Sequence, residues 1–347
     1  MASYTDALIR EIEARKAETG SEKPHTIYIG GGTPSQMPAT ELKAIYGKLE
    51  QAFDLSQLEE STIECNPDDL TDSFLDTLSR LPVNRISMGI QTFNDDILKL
   101  ICRRHTSEQA IQAVGRCRKH GFTNISIDLI YGLPGQTPDM FRNDIRTALS
   151  LEVTHISAYC LSYEEGTRLT AMRDRGVITP VSDEDCAEMF SILCQAMKEA
   201  GFMHYEISNF CKPGYHSRHN SSYWDGTPYI GLGAAAHSYD GRNRSWNISD
   251  IDQYMKGIEE GTPVMEKEEL TQTDRRNEMV MLSLRTSKGL DTEEMASRFG
   301  KATTDRCIKN ATRYIESGVM LFNGRILKLS ETGIFVSDDV ISSLFED

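Results

Sequence analysis

Across its first two-thirds the 347-residue chain alternates short β-rich runs with helical patterns, and no other feature limits the fold so sharply. The runs lie at 26–30, 61–65, 85–91, 124–131, 155–161 and 204–210. Helical periodicities fill the gaps near 39–53, 71–80, 107–120, 138–150 and 183–200. The last carries its own boundary signals: Ser182 with Asp185 opens it, apolar residues recur at three and four, and Gly201 closes it. Strands separated by helices call for a parallel sheet with crossover connections, either doubly wound or closed towards a barrel. A dinucleotide-binding sheet needs GxGxxG after its first strand, and Gly30-Gly31-Gly32-Thr33-Pro34 does not match. Glu64, Gln91 and Asp128 fall at or near strand C-termini, where barrel chemistry gathers, so the barrel is the better expectation.

The character changes after residue 210. Residues 211–247 are rich in Gly, aromatics, His and Arg with little periodicity, and read as an extended functional loop region. From about 272, two or three helical patterns precede two short runs, 319–322 and 326–329, that flank Asn323-Gly324, a strong hairpin signal. This pattern predicts a small α+β, winged-helix-like C-terminal domain. The expected organisation is therefore a barrel over 1–210, an extension over 211–271 and a C-terminal domain over 272–347.

Composition narrows the function. Thirty-seven basic against fifty-two acidic residues leave a net charge of −15, which argues against a non-specific nucleic-acid partner. No run approaches eighteen apolar residues, and the start carries no apolar signal core, so no membrane span is expected and the chain reads as cytoplasmic. The eight cysteines are scattered without CxxC spacing, which predicts neither a disulfide framework nor a metal site. Cys186, in phase with Phe190, Leu193 and Met197, reads as small core filler.

Several residues point to chemistry. Glycines 30–32 strip side chains from a strand end, either for a tight turn or so that backbone groups approach a ligand. Asp128 interrupts an apolar strand, which is costly unless the carboxylate has partners, whether structural or in a ligand. Arg103 and His105 add a basic element, and a guanidinium suits a carboxylate on a small polar ligand, although a solvated charge at a helix start explains the triplet equally.

Gly-Gly-Thr-Pro, Glu-x-Asn-Pro, Gly-x-Gln, Arg-x-His and Asp-Leu-Ile-Tyr-Gly-Leu-Pro, in this order and spacing, make the chain resemble the radical SAM proteins related to oxygen-independent coproporphyrinogen III oxidase. The likeness runs through nearly the whole chain. It implies a partial (β/α)6 TIM-like barrel that binds S-adenosylmethionine across its strand C-termini. By that analogy Gly31, Gly32 and Thr33 meet the methionyl ammonium with help from Glu64. Arg103 pairs with the methionyl carboxylate, Gln91 and Asp128 hold the ribose hydroxyls, and Ser162 lies on the adenine side. His219-Asn220-Ser221-Ser222-Tyr223-Trp224 fits the HNxxYW pattern of the family's heme-chaperone branch, whose members pass heme to respiratory proteins. His219 and His237 then become candidate heme contacts, with Arg218, Arg242 and Arg244 near propionates. Read without the family, Tyr223 and Trp224 simply pack the loop by burial. The oxidase itself, which decarboxylates propionates in heme synthesis, is the alternative function.

One departure stands out. The family opens with a strand ending in CxxxCxxC, whose thiolates hold a [4Fe–4S] cluster, and this sequence contains no such triplet. It begins where the following helix is expected, near 4–16, so the first barrel strand is also absent. A start placed downstream of the natural one, or a natural loss of the cluster, explains this. The first is the expectation, since losing the strand leaves an unpaired edge and the binding motifs remain intact. As written, the chain is not expected to assemble the cluster or to cleave S-adenosylmethionine.

Overall fold

The computed structural model describes residues 2–346, which gather into two compact units. One comprises residues 26–39 and 59–216. Its centre is a seven-stranded sheet of β1 (Thr26–Ile29), β2 (Glu60–Cys65), β3 (Arg85–Gln91), β4 (Asn124–Tyr131), β5 (His155–Cys160), β6 (Met203–Glu206) and β7 (Asn209–Cys211), in the order β1-β2-β3-β4-β5-β7-β6. The first five strands pair in parallel, each following its neighbour in sequence, as strand–helix alternation requires.

Side chains alternate across these strands, and both faces are informative. On one, Ile63, Ile86, Met88, Ile90, Ile125, Ile127, Leu129 and Ile156 are buried without exception. On the other, Arg85, Ser87, Ser126, His155 and Ser157 are buried as well, so the sheet encloses polar groups that need partners. His155 illustrates the solution: its two ring nitrogens meet Ser126 Oγ and Tyr205 Oη, each at 2.7 Å. The connecting helices are stopped and started by their own sequence. Thr106 and Gln109 form a reciprocal capping box at Ser107–Lys119, and Ser182 caps Asp183–Glu199.

The run at 204–210 is not a sixth parallel strand. It splits into β6 and β7, an antiparallel hairpin turning at Ile207-Ser208, and β7 pairs antiparallel with β5. One continuous, largely polar run concealed the reversal, which is held by Glu206 and Asn209, buried on either side of the turn, the Asn209 amide donating to the Glu206 carboxylate at 2.5 Å.

The second unit comprises residues 2–25, 40–58 and 217–346. Residues 211–247 are more regular than the sequence suggested. They hold the helix Arg218–Trp224, β8 (His237–Tyr239) and β9 (Asn243–Asn247), and β10 (Met265–Glu269) completes an antiparallel sheet. Hydrophobic alternation was invisible there because β9 is largely polar and β10 is exposed along its whole length. The C-terminal part follows expectation more closely. Helices Gln272–Leu284, Thr292–Phe299 and Lys301–Glu316 surround a core that includes Val280, Leu284, Leu290, Met295 and Leu327. The hairpin of β12 (Met320–Phe322) and β13 (Ile326–Leu329) turns at Gly324, whose φ of 93° suits glycine. The two-residue β11 (Leu290–Asp291) adds a third strand that the sequence did not reveal.

Candidate functional site

At the C-terminal ends of β1–β4 the sheet opens into a cavity of about 210 Å³. Six of the eight residues expected to bind S-adenosylmethionine line it: Gly32, Thr33, Glu64, Gln91, Arg103 and Asp128. They come from four strand ends and one loop more than seventy residues of sequence apart, so only the fold brings them together.

The glycine loop explains its composition. A Cβ on Gly30 would lie 2.5 Å from the Tyr28 ring and 3.1 Å from the Glu64 carboxyl carbon, while Gly31 and Gly32 take φ of 81° and 62°. Glu64 is fixed by two donors, Tyr28 Oη at 2.7 Å and the Gly31 N–H at 3.1 Å. Burial and the Glu64 charge push the Tyr28 phenol up, so it keeps its proton and donates. Gly31 is not itself among the lining residues, but its N–H holds the Glu64 carboxylate, which is.

Arg103 donates from one terminal nitrogen to Asn66 Oδ1 at 2.7 Å and to the Gly89 carbonyl at 2.6 Å. Its Nε is buried with no partner. Burial lowers the guanidinium pKa, yet an arginine remains charged at any physiological pH. A cation held at a cavity wall with an unsatisfied donor is a ready anion partner. Asp128 is the reverse case. Burial raises its pKa to about 6, against the lowering effects of the Ser157 hydroxyl and the Arg85 charge. At neutral pH it is an ionised acceptor in a confined space.

Tyr28, Asn66 and Ser157 belong to this constellation and were not singled out from sequence. Asn66 had a signal, since it sits inside the Glu-x-Asn-Pro run, but nothing in the sequence shows that it braces Arg103. Ser162, two residues past β5, is exposed and is not among the residues lining the cavity.

His219 and His237 lie in the other unit. His219 Nε2 meets Tyr223 Oη at 2.8 Å, and the rings stand edge to face at 5.0 Å. Tyr223 continues to Tyr229 at 4.7 Å, while the Arg285 guanidinium covers Trp224 at 4.9 Å. The motif's aromatics are therefore engaged in ring and cation contacts, although no residue of the Arg218–Trp224 helix is buried. His237 is exposed and leans on Trp246 at 5.9 Å. Arg244 is paired with Glu278 at 2.7 Å, and Arg218 and Arg242 are exposed.

The donor set suits S-adenosylmethionine in charge and hydrogen-bonding type: a guanidinium, two carboxylates and a stripped backbone loop stand around a cavity that a carboxylate, an ammonium and hydroxyls would complement. It does not suit a [4Fe–4S] cluster. Among the described residues no group of three His, Cys, Asp or Glu is placed to hold a metal, and all eight cysteines are free.

Comparison with known proteins bears on the fold and the family. Residues 4–148 match the radical SAM superfamily and residues 270–336 the HemN C-terminal domain. The structure superposes on coproporphyrinogen III oxidase HemN from Escherichia coli with a TM-score of 0.85, covering 99% of this chain and 83% of that one at 22% identity, a likeness of fold. The heme chaperone HemW of Lactococcus lactis is 35% identical over 346 residues, 99% of this chain and 90% of that protein. HemW of Bacillus subtilis is 36% identical, covering 96% and 91%. Fold and strand-end cavity thus define a radical SAM protein with a HemN-type C-terminal domain. Within that class the chain belongs to the HemW family, the branch that the HNxxYW pattern indicated.

Proposed function

We propose that the protein is a cytoplasmic heme-binding chaperone that carries S-adenosylmethionine in its strand-end cavity and hands heme to respiratory proteins. The observation that carries this reading is the near full-length likeness to proteins named heme chaperones, together with an intact HNxxYW segment. The decarboxylating oxidase is the second reading, favoured by the 0.85 superposition on HemN, but that likeness concerns fold alone.

In this reading each cavity residue has a charge-matched task. Arg103, a lining residue braced by Asn66 and the Gly89 carbonyl, pairs with the methionyl carboxylate. Gly31, Gly32 and Thr33 let the backbone approach the methionyl ammonium, which Glu64 neutralises. Gln91 and ionised Asp128 accept the ribose hydroxyls, and Ser162 borders the adenine from outside. When bound, S-adenosylmethionine supplies an activated sulfonium; the chain's own residues orient it and exclude water.

For heme, the exposed His237 imidazole is the readier ligand, since His219 is already bonded to Tyr223. Arg218 and Arg242 offer local positive charge for propionates on an acidic protein. Heme added to purified protein is expected to give a Soret shift that weakens in His237→Ala and, less, in His219→Ala. An unchanged spectrum on adding heme removes the chaperone reading. Coproporphyrinogen turnover should stay at background, and robust decarboxylation would favour the oxidase.

A further inference from the structure

β3 does not run regularly to its end. Gly89 faces Asp128 and Gln91 faces Leu129 on β4, so the register slips at Ile90. Gln91 then adopts φ of 74°, a left-handed conformation that residues with a Cβ rarely hold. Such a bulge persists only when its surroundings fix it, and bulges beside sites commonly re-aim a side chain.

Two side chains from the Arg103-Arg104-His105 segment provide the fixing. Arg103 donates to the Gly89 carbonyl at 2.6 Å, and His105 Nε2 meets the Ile90 carbonyl at 3.1 Å. A carbonyl only accepts, so the His105 proton must sit on Nε2. The residue is 3% exposed, and its Nδ1 is buried with no partner. Burial and the neighbouring Arg103 charge lower the His105 pKa, which keeps the ring in its neutral form. Gly89 shows where the Gln91 amide ends: a Cβ there would lie 2.8 Å from Gln91 Nε2 and 3.3 Å from the Arg103 guanidinium. The amide folds back across the glycine, at the cavity wall.

We infer that His105 is a positioning residue acting through Gln91: by holding the Ile90 carbonyl it keeps the bulge in its left-handed form and the Gln91 amide at the cavity wall. The binding part of the test rests on the S-adenosylmethionine reading above; the crystallographic part does not.

His105→Phe keeps volume and removes the donor, whereas His105→Gln restores an amide N–H near the position of Nε2. A crystal structure of His105→Phe is expected to show Gln91 leaving the left-handed region, and that of His105→Gln to retain it. Calorimetry with S-adenosylmethionine should show about a tenfold loss in His105→Phe, recovery in His105→Gln, and less than a twofold further loss when His105→Phe is placed on Gln91→Ala. A φ still near 74° in His105→Phe, or the same tenfold loss on the Gln91→Ala background, overturns the inference. Should His105→Phe fail to fold, the double variant with Gln91→Gly decides, because glycine takes a left-handed φ unaided. Recovery of folding in that double variant supports the inference, and its absence contradicts it. If the unmodified protein binds no S-adenosylmethionine, the ligand reading falls while the crystal structures still decide the bulge.

Discussion

Asp128 sits opposite Ser157 in the β4–β5 register, and burial raises its carboxyl pKa to about 6. An unfolded aspartate ionises near 4, so between about pH 4 and 6 the folded chain retains a proton that the unfolded chain has lost. Asp128 therefore costs stability progressively as pH rises through that window, reaching on the order of 3 kcal/mol above it. Asp128→Asn should raise the urea unfolding midpoint at pH 8 but change little at pH 4. It should also weaken S-adenosylmethionine binding at pH 8. A variant no more stable than its parent at pH 8 would show that the carboxylate is better compensated than its surroundings suggest. In the parent, affinity should fall as pH drops below about 6, when a protonated carboxyl loses acceptor capacity. Gly89→Ala tests a neighbour: the new Cβ collides with the flexible tip of Gln91 rather than with backbone. It should cost about tenfold in affinity (about 1.4 kcal/mol) with little change in melting temperature. A large fall in melting temperature would place the strain in the strand instead.

Among whole elements, the helix Ala2–Arg15 is held by a buried carboxylate. Glu11, 2% exposed, accepts from the Gly233 N–H at 2.7 Å, the Asn247 amide at 2.7 Å and Tyr254 Oη at 2.6 Å, and pairs with Arg15 at 3.3 Å. Removing it strands several donors at once, so Glu11→Ala should cost about 3–5 kcal/mol in thermal or urea unfolding. A loss below 1 kcal/mol would mean that water replaces the carboxylate. This anchor was not legible in the sequence, where a glutamate on an amphipathic helix reads as solvated. The parallel strands were legible, because β2–β4 and the start of β5 are largely buried on both faces, with isoleucine recurring along them. The β6–β7 reversal, β9 and β10 were not, because polar or exposed strands carry no alternation to read. The Asn323-Gly324 hairpin was legible for the opposite reason: its turn demands a residue that tolerates positive φ.

Over the whole molecule, the sequence marked which side chains carry charge at strand ends, and the fold supplied what the chain order cannot. Arg103 was expected from sequence to meet an anion or solvent, but its brace on Asn66 and the bulge at Gln91 arise only where β2, β3 and the segment after helix Asp95–Leu100 converge. Both units carry family features: the strand-end cavity in one, the HNxxYW helix and HemN-type domain in the other. Among the described residues no helix is long and apolar enough to cross a membrane. Isothermal calorimetry of S-adenosylmethionine against the purified chain and its Arg103→Ala variant tests the proposed cavity ligand directly. Saturable binding that weakens at least tenfold in the variant is the predicted result; no binding, or equal affinity in both proteins, would contradict it.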